Sequence, residues 1–224
     1  MNPYNLIADF YDANIDPNLY QDMLTLIKSE VSSGQALDLA TGTGKMAFLL
    51  AEQGFRVDAS DVSITMLHHA EKHLAKHNLP VKLFVHDVLD PIEKVGYDCV
   101  SMASDVVNHF SSMEDVNQVF ANVSEALKEE GVFVFDAIHQ DYRDQMIGYQ
   151  DELRLKGKSL KWTVLDHQEN SFEHILELGK EKANLVQYIY RDDQLTEALL
   201  RHHMMVVKTV KTEERMIYLA KKVK

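Results

Sequence analysis

Apolar positions along this chain follow two rhythms. Between Ala36 and Ala137, five short and almost continuous apolar runs, "ALDLA", "FRVDAS", "VKLFVH", "YDCVSMA" and "VFVFDA", alternate with stretches whose apolar residues recur every three or four positions. Runs of that kind read as strands and the stretches between them as helices, so the alternation predicts a parallel sheet with right-handed crossovers. An amphipathic segment over Asn18 to Val31 precedes them. The clearest helix lies before the fifth run: Ser112 caps it, Val116, Val119, Phe120, Val123 and Leu127 share one stripe, and Gly131 is its expected stop. From about Ser159 the rhythm changes to alternation in "SLKWTVLD", "SFEHILELG" and "NLVQYIY", which predicts antiparallel strands, with Phe172, His174, Leu176 and Leu178 on one face of the middle one. A helix around Asp192 to His203 and two last strands, "MVVKTV" and "RMIYLAK", bring the main sheet to seven strands. The expected division is therefore a core over residues 1–140 and 191–224, interrupted by an antiparallel insertion over 141–190.

Composition narrows this picture. Of 224 residues 46% are hydrophobic, enough for one large core. The net charge of −12 disfavours a nucleic-acid backbone as partner. No apolar stretch approaches a membrane span, and the start "MNPYNLIADFYD" has no basic-then-apolar leader, so a cytoplasmic location is expected. Cys99, the one cysteine, sits in an apolar run and reads as a core thiol. His69, His73 and His77 recur at helical spacing, but with no cysteine or third carboxylate beside them they read as a solvated helix face, and no metal is expected.

The chemistry concentrates in "LDLATGTG". Gly42 and Gly44 let the backbone approach a ligand at a helix start, where amides favour an anion, whereas Asp38 favours a cation. Acids also end or follow the other runs, at Asp61, Asp87, Asp105 and Asp136, along the sheet edge where such folds bind ligands. A phosphate-cradling loop ending in Lys and Ser or Thr fails, since Leu39 and Met46 stand at two of its required positions. A dinucleotide loop stays open: Gly42, Gly44 and Ala47 satisfy its pattern, with Asp58 or Asp61 as the ribose acid. A purely structural turn is a third reading. S-adenosylmethionine accommodates every residue, having a sulfonium and an ammonium, a carboxylate, two ribose hydroxyls and no phosphate.

These residues also resemble a known family, the class I S-adenosylmethionine-dependent methyltransferases. "LDLATGTG" is similar to the family's first motif, "VDASDVSITML" to its second, "FVHDVLD" to its third, and "YDCVSMASDVVNHF" with "LKEEGVFVFDA" to its fourth and fifth. The resemblance implies a Rossmann-like, doubly wound α/β fold with a mostly parallel seven-stranded sheet and a small antiparallel lid inserted before the last helix. It implies a cofactor site of Asp38, Ala40, Gly42, Gly44, Asp61, Val62, Met66, Asp87, Val88 and Met102, with Tyr11 of "FYDA" closing over it. The lid is similar to that of the family's small-molecule members, which points to a small-molecule acceptor with an N or O nucleophile. Where that acceptor must lose a proton, Asp105 and His109, just after the fourth strand, are the candidate bases with Asn108 orienting the substrate, and Trp162, His174, Tyr188 and Tyr190 fall in the lid as candidates for its pocket. Against this stand an NAD(P)-dependent reductase and a non-catalytic S-adenosylmethionine-binding module.

Overall fold

The computed structural model describes Phe10, residues 17–155 and residues 157–224; Tyr11 lies outside them. Helix α1 (Pro17–Lys28) leads into β1 (Gln35–Leu39), α2 (Lys45–Glu52), β2 (Arg56–Asp61), α3 (Ile64–Ala75), β3 (Lys82–Val85) and β4 (Tyr97–Met102). A 3₁₀ turn (Val106–His109), α4 (Met113–Ala126) and β5 (Leu127–Ile138) follow. The chain continues through α5 (Gln140–Met146), β6 (Gln150–Leu155), β7 (Lys158–Gln168), β8 (Ser171–Leu178) and β9 (Glu181–Tyr188), then α6 (Asp192–Arg201), β10 (Met204–Lys211) and β11 (Arg215–Lys222).

Seven strands form one sheet in the order β10-β11-β5-β4-β1-β2-β3, parallel except for β11, which runs antiparallel to both of its neighbours. Alternate side chains feed two separate cores, one on each face. Leu37, Leu39, Val100, Met102, Phe133 and Phe135 pack with α4 and α6, while Ala36, Cys99, Val132, Val134, Ile217 and Leu219 pack with α1 and α2. Burial on both faces is why these strands read as unbroken apolar runs. Strand order reverses between β1 and β4, and the loops after them open the crevice where such sheets bind ligands.

Two expectations change. The Ser112 cap holds, its hydroxyl accepting from the Asp115 amide at 3.2 Å. Helix α4, however, ends at Ala126, and Gly131 lies inside β5, where the register with β4 shifts between Tyr97 and Cys99. A side chain there would meet the Lys128 carbonyl at 2.9 Å, so this glycine marks a bulge instead of a helix stop. The second sheet has four antiparallel strands, β6-β7-β8-β9, where alternation predicts three. Its extra strand, "QDELRL", is mostly exposed at the sheet edge, and its alternation is confined to Leu153 and Leu155, too short a pattern to betray it. The apolar face of this sheet buries Phe10, Leu160, Leu176 and Ala183, and Val164 and Phe172 pack with Ile138 and Met146 of the main body. Among the described residues no helix is long and apolar enough to cross a membrane.

Candidate functional site

The loop after β1 takes its shape from Asp38. This carboxylate is 1% exposed and accepts from the Thr41 hydroxyl at 2.6 Å and the Ser101 hydroxyl at 2.7 Å. Burial pushes its pKa up to about 6 despite those donors and the Ala47 amide. Sequence reasoning sets Asp38 against the cofactor; the structure encloses it behind the loop, with its oxygens engaged by protein donors. Ala40 has φ 50 and Gly42 φ 56, a left-handed course that costs a residue with a Cβ. Gly44, expected at the cofactor, serves packing: a Cβ there would sit 3.0 Å from Ala70 Cβ on α3.

Asp61, at the end of β2, faces the crevice. Its Oδ2 accepts the Gly42 amide at 2.9 Å and its Oδ1 the Ser63 amide at 2.8 Å, so the carboxylate plane is set before any ligand arrives. Burial raises its pKa against the pull of those amides. Each oxygen keeps a further lone pair for a hydroxyl donor. Asp58 is engaged elsewhere, by the Tyr97 hydroxyl at 2.8 Å and Lys94 Nζ at 2.6 Å. From Asp61 the cleft, about 180 Å³, runs between Val62, Met66 and Val88 past His86 and Asp87. Its other end is formed by Ser104, Val106, His109 and Phe110. Met102, expected along it, is fully buried in the core beneath. His73 and His77 of the helix-face series flank the Phe48 ring, at 5.2 and 4.6 Å, and among the described residues no group of three His, Cys, Asp or Glu side chains converges.

The far end is built from side chains distant in sequence. Asp136, at 0% exposure, accepts the Ser104 and Asp105 amides at 2.7 and 3.0 Å and fixes both residues in left-handed conformations, φ 70 and 53. Arg215 NH1 bridges Asp136 at 2.7 Å and Asp105 at 2.9 Å, and NH2 reaches Glu214 at 3.2 Å. Burial works against the Asp105 charge, but Arg215 outweighs it and holds the pKa below the usual carboxylate range. Asp105, expected as a candidate base, is held here as the ion-pair partner of Arg215, which makes it a weaker proton acceptor than an ordinary carboxylate. His109, 3.7 Å from Asp105 Oδ2, is held below its ordinary value by burial, which the Asp105 charge only partly offsets.

Asn108 does not orient a substrate: its Nδ2 donates to the Tyr188 carbonyl at 2.7 Å and its Oδ1 accepts the Ile138 amide at 2.9 Å, tying the antiparallel sheet to β5. Trp162 and His174 bond each other at 2.9 Å, Tyr188 is half-buried at the end of β9, and Tyr190 donates to the Phe110 carbonyl at 2.5 Å. Sequence reasoning missed Arg215 and Gln187. Arg215 opens β11 opposite Ile138, and only that antiparallel pairing carries it to Asp136, 79 residues away.

Comparison with known proteins agrees with this geometry. Residues 36–131 match a methyltransferase domain. YqeM of Bacillus subtilis (strain 168), a protein named as a methyltransferase, is 30% identical over 157 residues, which cover 66% of this chain and 63% of that one. This chain carries a methyltransferase domain and shares the fold of an S-adenosylmethionine-dependent methyltransferase. It spans less than two thirds of the length of the curated relatives it first matches, 62% and 63%. The structure of an S-adenosylmethionine-dependent methyltransferase from Clostridium acetobutylicum superposes over 100% of both chains with a TM-score of 0.84 at 22% identity. That of CalS10, an amino pentose methyltransferase of Micromonospora echinaspora bound to S-adenosylmethionine, gives a TM-score of 0.75 at 16% identity, covering 96% of this chain and 95% of that one. Both likenesses carry the fold. The methyltransferase cofactor suits the cleft, because Asp61 presents a fixed pair of acceptor oxygens beside an apolar slot.

Proposed function

We propose that this methyltransferase moves a methyl group from S-adenosylmethionine to an N or O nucleophile of a small molecule. The observation that carries the reading is one continuous cleft lined both by Asp61, held by two backbone amides, and by the half-buried imidazole of His109. The bound cofactor supplies an electrophilic methyl, whose bond to sulfur breaks as the acceptor's lone pair forms the new bond in line with it. Asp61 accepts from the ribose hydroxyls, and Val62, Met66 and Val88 flank the adenine. His109 takes the proton that the acceptor sheds, and Asp105 nearby favours the imidazolium that results. The antiparallel sheet, residues 141–190, serves as a lid that excludes water and carries the acceptor pocket. CalS10, which shares the fold, is an amino pentose methyltransferase, in keeping with a small acceptor.

Calorimetric titration with S-adenosylmethionine and S-adenosylhomocysteine tests the cofactor end. Asp61→Ala removes charge-assisted hydrogen bonds worth about 1.5–3 kcal/mol and weakens binding roughly tenfold to a hundredfold, while Asp58→Ala leaves it nearly unchanged. A folded Asp61→Ala variant that binds both ligands as tightly as wild type sinks the assignment. His109→Gln, assayed for cofactor consumption with a metabolite mixture that wild type turns over, should lower kcat and spare cofactor affinity.

A further inference from the structure

A hydrogen-bonded string joins the antiparallel sheet to the acceptor end of the cleft. Trp162 Nε1 donates to His174 Nδ1 at 2.9 Å, His174 Nε2 lies 2.8 Å from Gln187 Oε1, and Gln187 Nε2 donates to Asp105 Oδ2. The two ends set its direction. An indole N–H only donates and a carboxylate only accepts, so Gln187 turns its NH₂ to Asp105 and its carbonyl to the Nε2–H of a neutral His174. Burial, which holds the His174 imidazole below its ordinary value, agrees with that neutral form.

Asp105 is therefore gripped on every side. Arg215 holds Oδ1 at 2.9 Å, Gln187 holds Oδ2, and Asp136 accepts its backbone N–H at 3.0 Å in a left-handed conformation that the side chain cannot easily leave. His109 Nε2 stands 3.7 Å from the same Oδ2, outside hydrogen-bonding range. Resting on the methyl-transfer reading above, we propose that Gln187 is a positioning residue. It holds the Asp105 carboxylate short of contact with His109, so that the carboxylate does not close onto the imidazole and raise its proton affinity in the resting site.

The reasoning is a competition for one oxygen. A carboxylate hydrogen-bonded to histidine stabilises the imidazolium, and an imidazolium cannot serve as a base. At 3.7 Å burial still prevails over Asp105 in setting the His109 charge. Remove the Gln187 amide and Oδ2 loses a donor in a buried setting, a state that costs enough to drive rearrangement. Closing the pair into a hydrogen bond needs a movement of about 1 Å. The charged and titratable groups around His109 among the described residues are Asp105 on its own turn and His174 on β8, with Arg215 of β11 and Asp136 of β5 behind Asp105. Of these, only Asp105 gains a new geometry when Gln187 is changed.

Imidazole NMR titration of the full chain, without ligand, reads this directly, with the His109 resonance assigned by His109→Gln. Gln187→Leu and Gln187→Met, the latter keeping the length of the side chain, are compared with wild type, and each is repeated in an Asp105→Asn background. The expected result is a His109 titration about one pH unit higher in both single variants, a tenfold gain in proton affinity, and no difference between Gln187 and its substitutes once Asp105 is Asn. An unchanged or lower His109 titration in a variant that keeps its amide dispersion overturns the proposal. So does a rise that persists in the Asp105→Asn background. Because the readout needs neither cofactor nor acceptor, a shift without methyl transfer would unseat the activity and leave this coupling standing, and methyl transfer without a shift would do the reverse.

Discussion

The two ends of the cleft are made differently. At the cofactor end, neighbours in sequence or on adjacent parallel strands do the work: Asp61 is held by Gly42 and Ser63 amides, and Asp38 by Thr41, Ser101 and Ala47. No cation is among these partners, and the carboxylates sit above their ordinary pKa because burial dominates. The acceptor end holds its carboxylates with a guanidinium delivered from 79 and 110 residues away. Backbone amides give a rigid acceptor that leaves lone pairs for hydroxyls, whereas an ion pair fixes charge and position together and depends on the whole sheet being formed.

The strongest blow to this contrast is Arg215→Met. It leaves Asp105 and Asp136 buried without a cation, which should cost about 3–5 kcal/mol by denaturant titration. S-adenosylhomocysteine affinity of the folded fraction should change by less than about threefold, because none of the described residues proposed to hold the cofactor pairs with Arg215. A comparable loss of affinity would merge the two ends into one unit.

Opposite pH trends separate Asp38 from Asp105 next, while Asp136, also beside Arg215, is raised by burial as Asp38 is. Asp38 has a raised folded pKa, so its contribution to stability is complete below the ordinary carboxylate value of 3.8 and is lost as pH rises through about 6. Asp105 has a depressed one, so its contribution is present above 3.8 and is lost as pH falls through the folded value. Asp38→Asn should therefore improve relative to wild type by about 2–3 kcal/mol between pH 4 and pH 7, on an order-of-magnitude conversion of the shift. A difference between the two proteins that stays flat with pH would remove the charge of Asp38 from the account.

The smallest effect sharpens the local character of the cofactor end. Ala40 takes a left-handed φ of 50 in the loop after β1. Ala40→Gly relieves the Cβ clash of a left-handed residue and should stabilise the fold by up to about 1 kcal/mol, partly offset by the entropy of the unfolded chain, read as a rise in thermal midpoint. A fall would mean that the Ala40 methyl packs well enough to outweigh the strain.

How far the site could be read from residues alone follows the same division. The order of strands and helices, the Ser112 cap and the apolar face of β8 rest on spacing within a few residues, and the structure agrees with each. The preference for Asp61 over Asp58 came with the family resemblance, and the structure leaves Asp61 lining the cleft while Tyr97 and Lys94 engage Asp58. Strand β6 escaped because a mostly polar edge strand leaves only Leu153 and Leu155 in alternation, too few to mark a strand. Gly131 misled because a helix stop and a strand bulge both call for glycine. Asn108, placed by motif beside the acceptor, proved to be a brace, since a buried amide must satisfy both its donor and its acceptor, and here the backbone does so.

By itself the sequence determined the α/β alternation, the glycine loop and the row of acids along the strand ends, because a strand's length, its period and its last residue are local properties of the chain. Only the tertiary structure decided what each acid meets. Asp38 turned inward to hold a loop, Asp61 was presented to the cleft, and Asp105 was bound between Gln187 of the antiparallel sheet and Arg215 of the last strand. The charge and reach of a carboxylate depend on burial and on partners within a few ångströms, and antiparallel pairing of strands far apart in sequence sets those partners.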